Sequence, residues 1–219
     1  MNDSADRIAH GERGWEQRLR EALAGSTDVE PRPMSRLDLP LRMHQLISSS
    51  EWLATLRRAA VLVPVVDRAE GPSVVLTVRS EQLRNHKGQI SFPGGRRDDD
   101  DVDAVDTALR EAEEEIGLPR QQVEVLGYLD DYPTMTRYRV TPVVGVIRDL
   151  PALRIDAAEV AQVFEVPLSL LLNPASFTQK HFFRGKLRLP FYEIQHGDYR
   201  IWGATAGMLW DLCRKVNEL

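Results

Sequence analysis

The chain has 219 residues, a formal net charge of −5, 42% hydrophobic and 28% charged residues, a balance that suits one folded domain with a packed core and excludes a disordered chain. An acidic chain has no general electrostatic footprint for nucleic acid, so any anionic partner must be met by a local basic patch. Its one cysteine, Cys213, excludes an intramolecular disulfide and fits a reducing compartment; with no apolar stretch of membrane-spanning length and no basic, apolar leader, the expectation is a cytoplasmic protein without membrane or nucleic-acid partners.

Residues 1–50 are polar and interrupted by Pro31, Pro33 and Pro40, and read as a helical and irregular extension before a domain spanning 51–219. Within the extension Trp15, Leu19 and Leu23 recur every fourth residue, as on one face of a short helix. A further helix is expected over 46–58. Residues 59–66 and 73–78, rich in valine and leucine, read as paired strands about a turn at Gly71 and Pro72. Residues 102–116 form the clearest helix, with Gly117 and Pro119 as its stop. More strands are expected over 123–128, 139–147 and 187–194. A closing helix is expected over 203–216, where Ala204, Met208 and Leu212 share a packing face. This alternation indicates a mixed α/β fold.

At about 100° per residue, Glu111, Glu114 and Glu115 lie within roughly a 100° arc of the 102–116 helix. Val105, Ala108, Leu109, Ala112 and Ile116 occupy the neighbouring arc, so the acidic stripe borders the core. Like charges at these spacings cost a helix about 0.2–0.5 kcal/mol per pair, and a divalent cation would relieve them. Oxygen ligands suit Mg²⁺ or Mn²⁺, and no Cys/His cluster points to zinc. The plain alternative is a solvated acidic face paired with nearby Arg and Lys.

What precedes the stripe decides between these. FPGG at 92–95 leads into the helix, and REAEEEIGL begins at Arg110. This segment, from Gly95 to Leu118, resembles the Nudix box of the Nudix hydrolase family. The resemblance implies an α/β/α sandwich with a mixed β-sheet and a catalytic loop-helix. It makes Glu111, Glu114 and Glu115 metal ligands for Mg²⁺ or Mn²⁺, Arg110 the arginine that braces them, and Glu114 part of the catalytic set. Asp101 stands six residues after Gly95, where the box has an acid. Asp replaces Glu there, and one extra residue separates it from Arg110, so Asp101 is left out of the ligand set.

Upstream, VLTVRSEQLRNHKGQISFPGG resembles the additional motif of the coenzyme A pyrophosphatase branch, with Val75 in place of a usual leucine. By this resemblance Arg79, Ser80, Arg84, Gly88, Phe92, Gly94 and Gly95 bind substrate, which becomes coenzyme A or an acyl-CoA. Forked guanidiniums and backbone amides near a helix start are suitable donors for its phosphates. Singly, the two arginines could merely balance acids, Gly88 serve a turn and Phe92 fill the core. The implied products are adenosine 3′,5′-bisphosphate and 4′-phosphopantetheine or its acyl form. Glu159, in DAAEVAQVFEVP, is a candidate distal general base, with a helix or loop surface role as the alternative. Substrates such as ADP-ribose, a dinucleoside polyphosphate or an oxidised nucleotide, a coenzyme A sensor without turnover, and a homodimer all stay open.

Overall fold

The computed structural model describes residues 14–27, 31–33, 49–83, 86–185 and 187–219. In chain order the elements are α1 (Gly14–Leu23), α2 (Ser50–Ala54), β1 (Arg57–Val66), β2 (Ser73–Arg79), β3 (Ile90–Ser91), β4 (Gly94–Arg96), α3 (Ala104–Ile116), β5 (Glu124–Tyr128), β6 (Tyr132–Pro133), β7 (Tyr138–Ile147), β8 (Val160–Pro167), α4 (Leu168–Leu171), β9 (Thr178–Arg184), β10 (Leu187–His196), β11 (Tyr199–Trp202) and α5 (Ala204–Asn217).

The fold is organised around β1 and β7, which pair in parallel from Arg57↔Tyr138 to Val66↔Ile147. Both strands are rich in valine because the sheet is covered on both faces. Their side chains alternate between two cores: Ala60, Leu62, Val66, Val143 and Ile147 face α3, while Val63, Val65, Val140, Val144 and Val146 face the opposite layer. Burying each such Val, Leu or Ile contributes about 1.5–3 kcal/mol. The opposite layer includes α1 and α5, whose Trp15, Leu19, Leu23, Leu209, Leu212 and Val216 enter one core cluster. A mixed eight-stranded sheet with helices on both faces is the expected α/β/α sandwich. A second, antiparallel sheet runs β11-β10-β9.

A gap within the large sheet positions the site. β1 and β2 pair directly only at Val65↔Val74 and Val66↔Ser73. Farther along they diverge, and the space between them receives β3, paired to β2 at Thr77↔Ser91, and β4, paired to β1 at Ala60↔Gly95. Phe92 and Pro93 are buried at the crossing, and Leu62 N–H donates to Pro93 O at 2.9 Å. The helix α3 then packs over this gap through Ala104, Ala108, Ala112 and Ile116. Three alanines on that face permit close approach to the strands. Asp103 caps its start by accepting from Asp106 N–H at 2.8 Å. Gly117 ends it at φ 67°, a left-handed conformation that glycine adopts without a side-chain penalty.

Of the helix expected over 46–58, residues 46–48 lie outside the described residues; Ser49 caps α2, which ends at Ala54 rather than at 58. Arg57 and Arg58 pair with Tyr138 and Arg139 instead, so the ladder with β7 takes them into β1. Six strands, β3, β4, β6, β8, β9 and β11, went unread, and the two longest show why. β8, just after Glu159, is recruited by pairing along the whole of β2, and the polar TQKHFFR of β9 is recruited by β10.

Glu16 fastens α1 to the sheet. Its carboxylate accepts from Arg148 at 2.7 and 2.8 Å and from Arg20 at 2.8 Å, and is 7% exposed. The Arg148 bonds, opposed by burial and helped by Arg20, lower its pKa from 4.5 to about 2. A depressed carboxylate stabilises the fold above its unfolded pKa and loses that contribution as pH falls through the folded one. Urea titrations should therefore find Glu16→Gln less stable than the parent by about 1–2 kcal/mol at pH 7. The difference should shrink as pH falls from 4.5 towards 2; a pH-independent difference would contradict the ion-pair origin.

Candidate active site

At the junction of β4 and α3, two carboxylates lie against two glycines. Glu115 is 2% exposed, and its Oε2 accepts from Gly94 N–H at 3.2 Å. A Cβ placed on Gly95 would stand 2.5–2.6 Å from the carboxylate atoms of Glu111, so this glycine leaves the room that Glu111 occupies. Burial is the leading cause that pushes Glu115 up to about 7, with Glu111 and Glu159 adding to it and Arg79 and the Gly94 amide opposing. Burial also raises Glu111, against the pull of Arg110 and with the charges of Glu114 and Glu159 reinforcing it. Two carboxylates with raised proton affinity beside each other form a site of concentrated negative charge.

Arg110 braces this site from α3. It grips Asp101 with Nε and Nη2, both at 2.9 Å, while Nη1 donates to Glu111 at 3.1 Å and Glu114 at 3.0 Å, and Nη2 to Arg96 O at 3.1 Å. Asp101 is buried. It also accepts from Asp98 N–H and the Thr107 hydroxyl, both at 2.9 Å, and the Arg110 fork leads the causes that hold its carboxyl well below the usual range. Asp101 thus anchors the arginine that positions the glutamates. The acid six residues beyond Gly95 was the available signal for it.

Arg79, at the end of β2, directs Nη1 to Glu115 Oε1 at 3.4 Å, and its buried Nε has no hydrogen-bond partner among the described residues. Ser80 is buried; its hydroxyl donates to Ala157 O at 3.2 Å and its N–H to Glu159 O at 2.8 Å. Ser80 therefore holds the loop that carries Glu159. The same loop is tied to the end of α3, where Asp156 N–H donates to Glu115 O at 2.9 Å. Glu159 itself is exposed just before β8, close enough for its charge to act on both inner glutamates.

The remaining expected residues divide between rim and scaffold. Glu114 is on the rim, its side chain 60% exposed and turned to Arg110. Among the described residues no group of three or more His, Cys, Asp or Glu side chains is arranged to hold a metal ion. Glu111 and Glu115 are the inner pair. Phe92, grouped by resemblance with the substrate binders, is 1% exposed and packs in the core, where it anchors the loop before Gly94. Gly88, at φ 62°, donates its N–H to Arg79 O at 3.1 Å and closes the loop between β2 and β3. Arg84 lies outside the described residues.

A model of the NUDIX domain matches residues 56–184, more than half of the chain and all of the site just described. The chain belongs to the Nudix hydrolase family. This Nudix chain is 44% identical over 166 residues to the uncharacterized Nudix hydrolase NudL of Escherichia coli K12, covering 74% of this chain and 83% of that protein. To the protein of the same description in another Escherichia coli strain it is 42% identical over 188 residues, 83% and 95% of the two chains. A solved NUDIX domain, that of Shewanella oneidensis NrtR complexed with ADP ribose, is similar at 20% identity over 57% of this chain and 86% of that one, with a TM-score of 0.44. Nudix hydrolases act on nucleoside diphosphate derivatives. Among the described residues no helix is long and apolar enough to cross a membrane.

In this Nudix site a lysine cannot reproduce the grip of Arg110 on Asp101, Glu111 and Glu114 together, because an ammonium lacks the planar fork. Arg110→Lys is expected to lower turnover by about 10- to 100-fold, the usual cost of loosening a group that orients site carboxylates. Steady-state rates of diphosphate hydrolysis check this. A rate within twofold of the parent would show the brace to be dispensable.

Proposed function

We propose that the chain hydrolyses the pyrophosphate bond of coenzyme A or an acyl-CoA, giving adenosine 3′,5′-bisphosphate and 4′-phosphopantetheine or its acyl form. The observation that carries this reading is Arg79: it belongs to the TVRS segment that resembles the coenzyme A branch, its Nη1 meets Glu115, and its buried Nε has no hydrogen-bond partner among the described residues. An orphaned guanidinium donor next to a carboxylate site suits a phosphate oxygen.

The residues fit a divalent cation. The inner side chains offer carboxylate oxygens, the ligand class of Mg²⁺ and Mn²⁺, and burial, reinforced by neighbouring glutamate charges, raises the proton affinities of Glu111 and Glu115, a cost that a cation would offset. Glu111 and Glu115 would hold it, joined by Glu114, whose exposed carboxylate can exchange Arg110 for a cation. When bound, the cation neutralises diphosphate charge and makes nearby water more acidic.

The chain's own groups supply the rest. Arg79 orients the diphosphate, with Arg84 as its partner in the sequence motif. Gly95 leaves the room that Glu111 occupies and Gly94 N–H holds Glu115, so the two glycines set the inner carboxylates in place. Water adds its oxygen to one phosphorus, the bridging P–O bond breaks, and Glu159 accepts the proton that the water gives up. The bridging oxygen leaves with the other phosphate, so two phosphomonoesters result.

Mass spectrometry of the products from coenzyme A and acetyl-CoA, with Mg²⁺ or Mn²⁺ and with a chelator, tests this. The expected result is adenosine 3′,5′-bisphosphate, formed only with metal present. Binding of coenzyme A without products would make the chain a sensor, and formation of products under chelation would remove the cation from the scheme.

A further inference from the structure

Where β4 leaves the carboxylate site, the chain builds a second charged feature of the opposite sign. An open groove of about 440 Å³ is lined by Arg57, Arg58, Arg96, Arg97, Asp98 and Asp99. The ladder between β1 and β4 sets this convergence: Arg96 pairs with Ala59, and Arg97 N–H continues the ladder by donating to Arg58 O at 3.1 Å. Two doublets of arginine from separate strands are thereby brought to one end of the sheet.

The four guanidiniums are not neutralised there. Arg57 lies over the Tyr138 ring at 4.1 Å and donates to Thr136 O at 3.1 Å. Arg97 donates to Asp101 O and Val102 O at 2.9 and 2.6 Å. Ring and carbonyl partners fix these two side chains while leaving their charges uncompensated. Arg58 and Arg96 have no side-chain hydrogen bond or ion pair among the described residues. Asp98 has its ion pair with Arg110, at 3.9 Å, rather than with any arginine of the groove. Four cations against two carboxylates, in a chain of net charge −5, is a local excess that no ion pair among the described residues offsets.

We infer that this groove is a phosphate-monoester site, distinct from the carboxylate site and independent of which diphosphate the latter cleaves. Two positioned guanidiniums and two unpartnered ones offer several forked donors to a compact dianion, the geometry in which arginine exceeds lysine. The flanking Asp98 and Asp99 limit the charge excess and disfavour a long polyanion such as nucleic acid. The groove also bears on the neighbouring site, because Arg96 O accepts from Arg110, the residue that holds Glu111 and Glu114. An anion that orders Arg96 and Arg97 thus orders the loop on which Asp101 and Arg110 meet. The monoester can come from free phosphate or from a nucleotide that bears a phosphate besides its 5′ group.

Phosphorus NMR titration with inorganic phosphate tests the site, using the parent chain, Arg58→Gln/Arg96→Gln and Asp99→Asn, with thermal melting to verify the fold of each. The double substitution is expected to weaken phosphate binding about tenfold, and Asp99→Asn, which removes a flanking negative charge, to strengthen it. Parallel titrations with adenosine 3′,5′-bisphosphate and 5′-AMP identify the source. A preference for the bisphosphate that vanishes in the double variant assigns the monoester to a nucleotide, and an unchanged preference with weakened inorganic phosphate binding assigns it to free phosphate. Equal phosphate affinity in parent and double variant, or no phosphate binding by the parent, would overturn the inference.

Discussion

Glu115→Gln is expected to lower diphosphate turnover about a hundredfold or more while the chain still folds. The substitution preserves shape: the amide oxygen of Gln can still accept from Gly94 N–H, where Glu115 Oε2 now sits at 3.2 Å. It removes a negative charge that is 2% exposed and opposed by its neighbours Glu111 and Glu159. Stability should therefore hold or rise in the absence of metal, since burying an incompletely paired charge is costly. A ligand that binds only the folded state raises the melting temperature, so Mg²⁺ or Mn²⁺ should raise that of the parent more than that of the variant. Near-normal turnover in Glu115→Gln would remove the inner carboxylate pair from the chemistry.

The two glycines of β4 are expected to fail in different ways. At Gly94, φ is 151°, and an added Cβ would stand 2.5 Å from Ala60 O and from the Val61 Cα, both backbone atoms of the central strand. Neither can give way without breaking the pairing of β1 and β4, so Gly94→Ala should cost about 3 kcal/mol or more in urea denaturation. At Gly95 the nearest atoms to the added Cβ are those at the end of the Glu111 side chain, which can swing aside. Gly95→Ala should thus cost about 1 kcal/mol or less in stability but about tenfold or more in turnover, because Glu111 is displaced from its place. Equal losses of stability in the two variants would mean that Glu111 does not fill the space beside Gly95.

The central strands and the two long helices could be read from the chain because their signals are local. Valine and leucine runs over 59–66 and 139–147 need no partner to be recognised, and the stop at Gly117 is a property of one residue. β8 and β9 escaped because pairing with β2 and β10 decides their conformation, and Arg57 and Arg58 joined β1 for the same reason. The site divides similarly. Spacing along α3 brought Glu111 and Glu115 to one face, but only the fold places Gly94 and Gly95 against them, and only the loop tied by Ser80 and Asp156 brings Glu159 into electrostatic range. Ser80 and Phe92 match the motif as letters, whereas burial reveals them as supports. Asp101 matched the box imperfectly in sequence, and its double contact with Arg110 gives the mismatch a structural meaning. The four-residue spacing of Trp15, Leu19 and Leu23 announced an apolar helical stripe without saying what covers it; the answer is the core shared with α5.

The most direct measurement is a competition: equimolar coenzyme A, ADP-ribose and 8-oxo-dGTP in one reaction with Mg²⁺, with products quantified by mass spectrometry at low conversion, so that their ratios report relative kcat/KM. The expected result is adenosine 3′,5′-bisphosphate in at least about tenfold excess over the products of the other two, an excess that corresponds to about 1.4 kcal/mol of discrimination. Predominance of ADP-ribose or 8-oxo-dGTP products would contradict the assigned substrate while leaving the family and the carboxylate site in place.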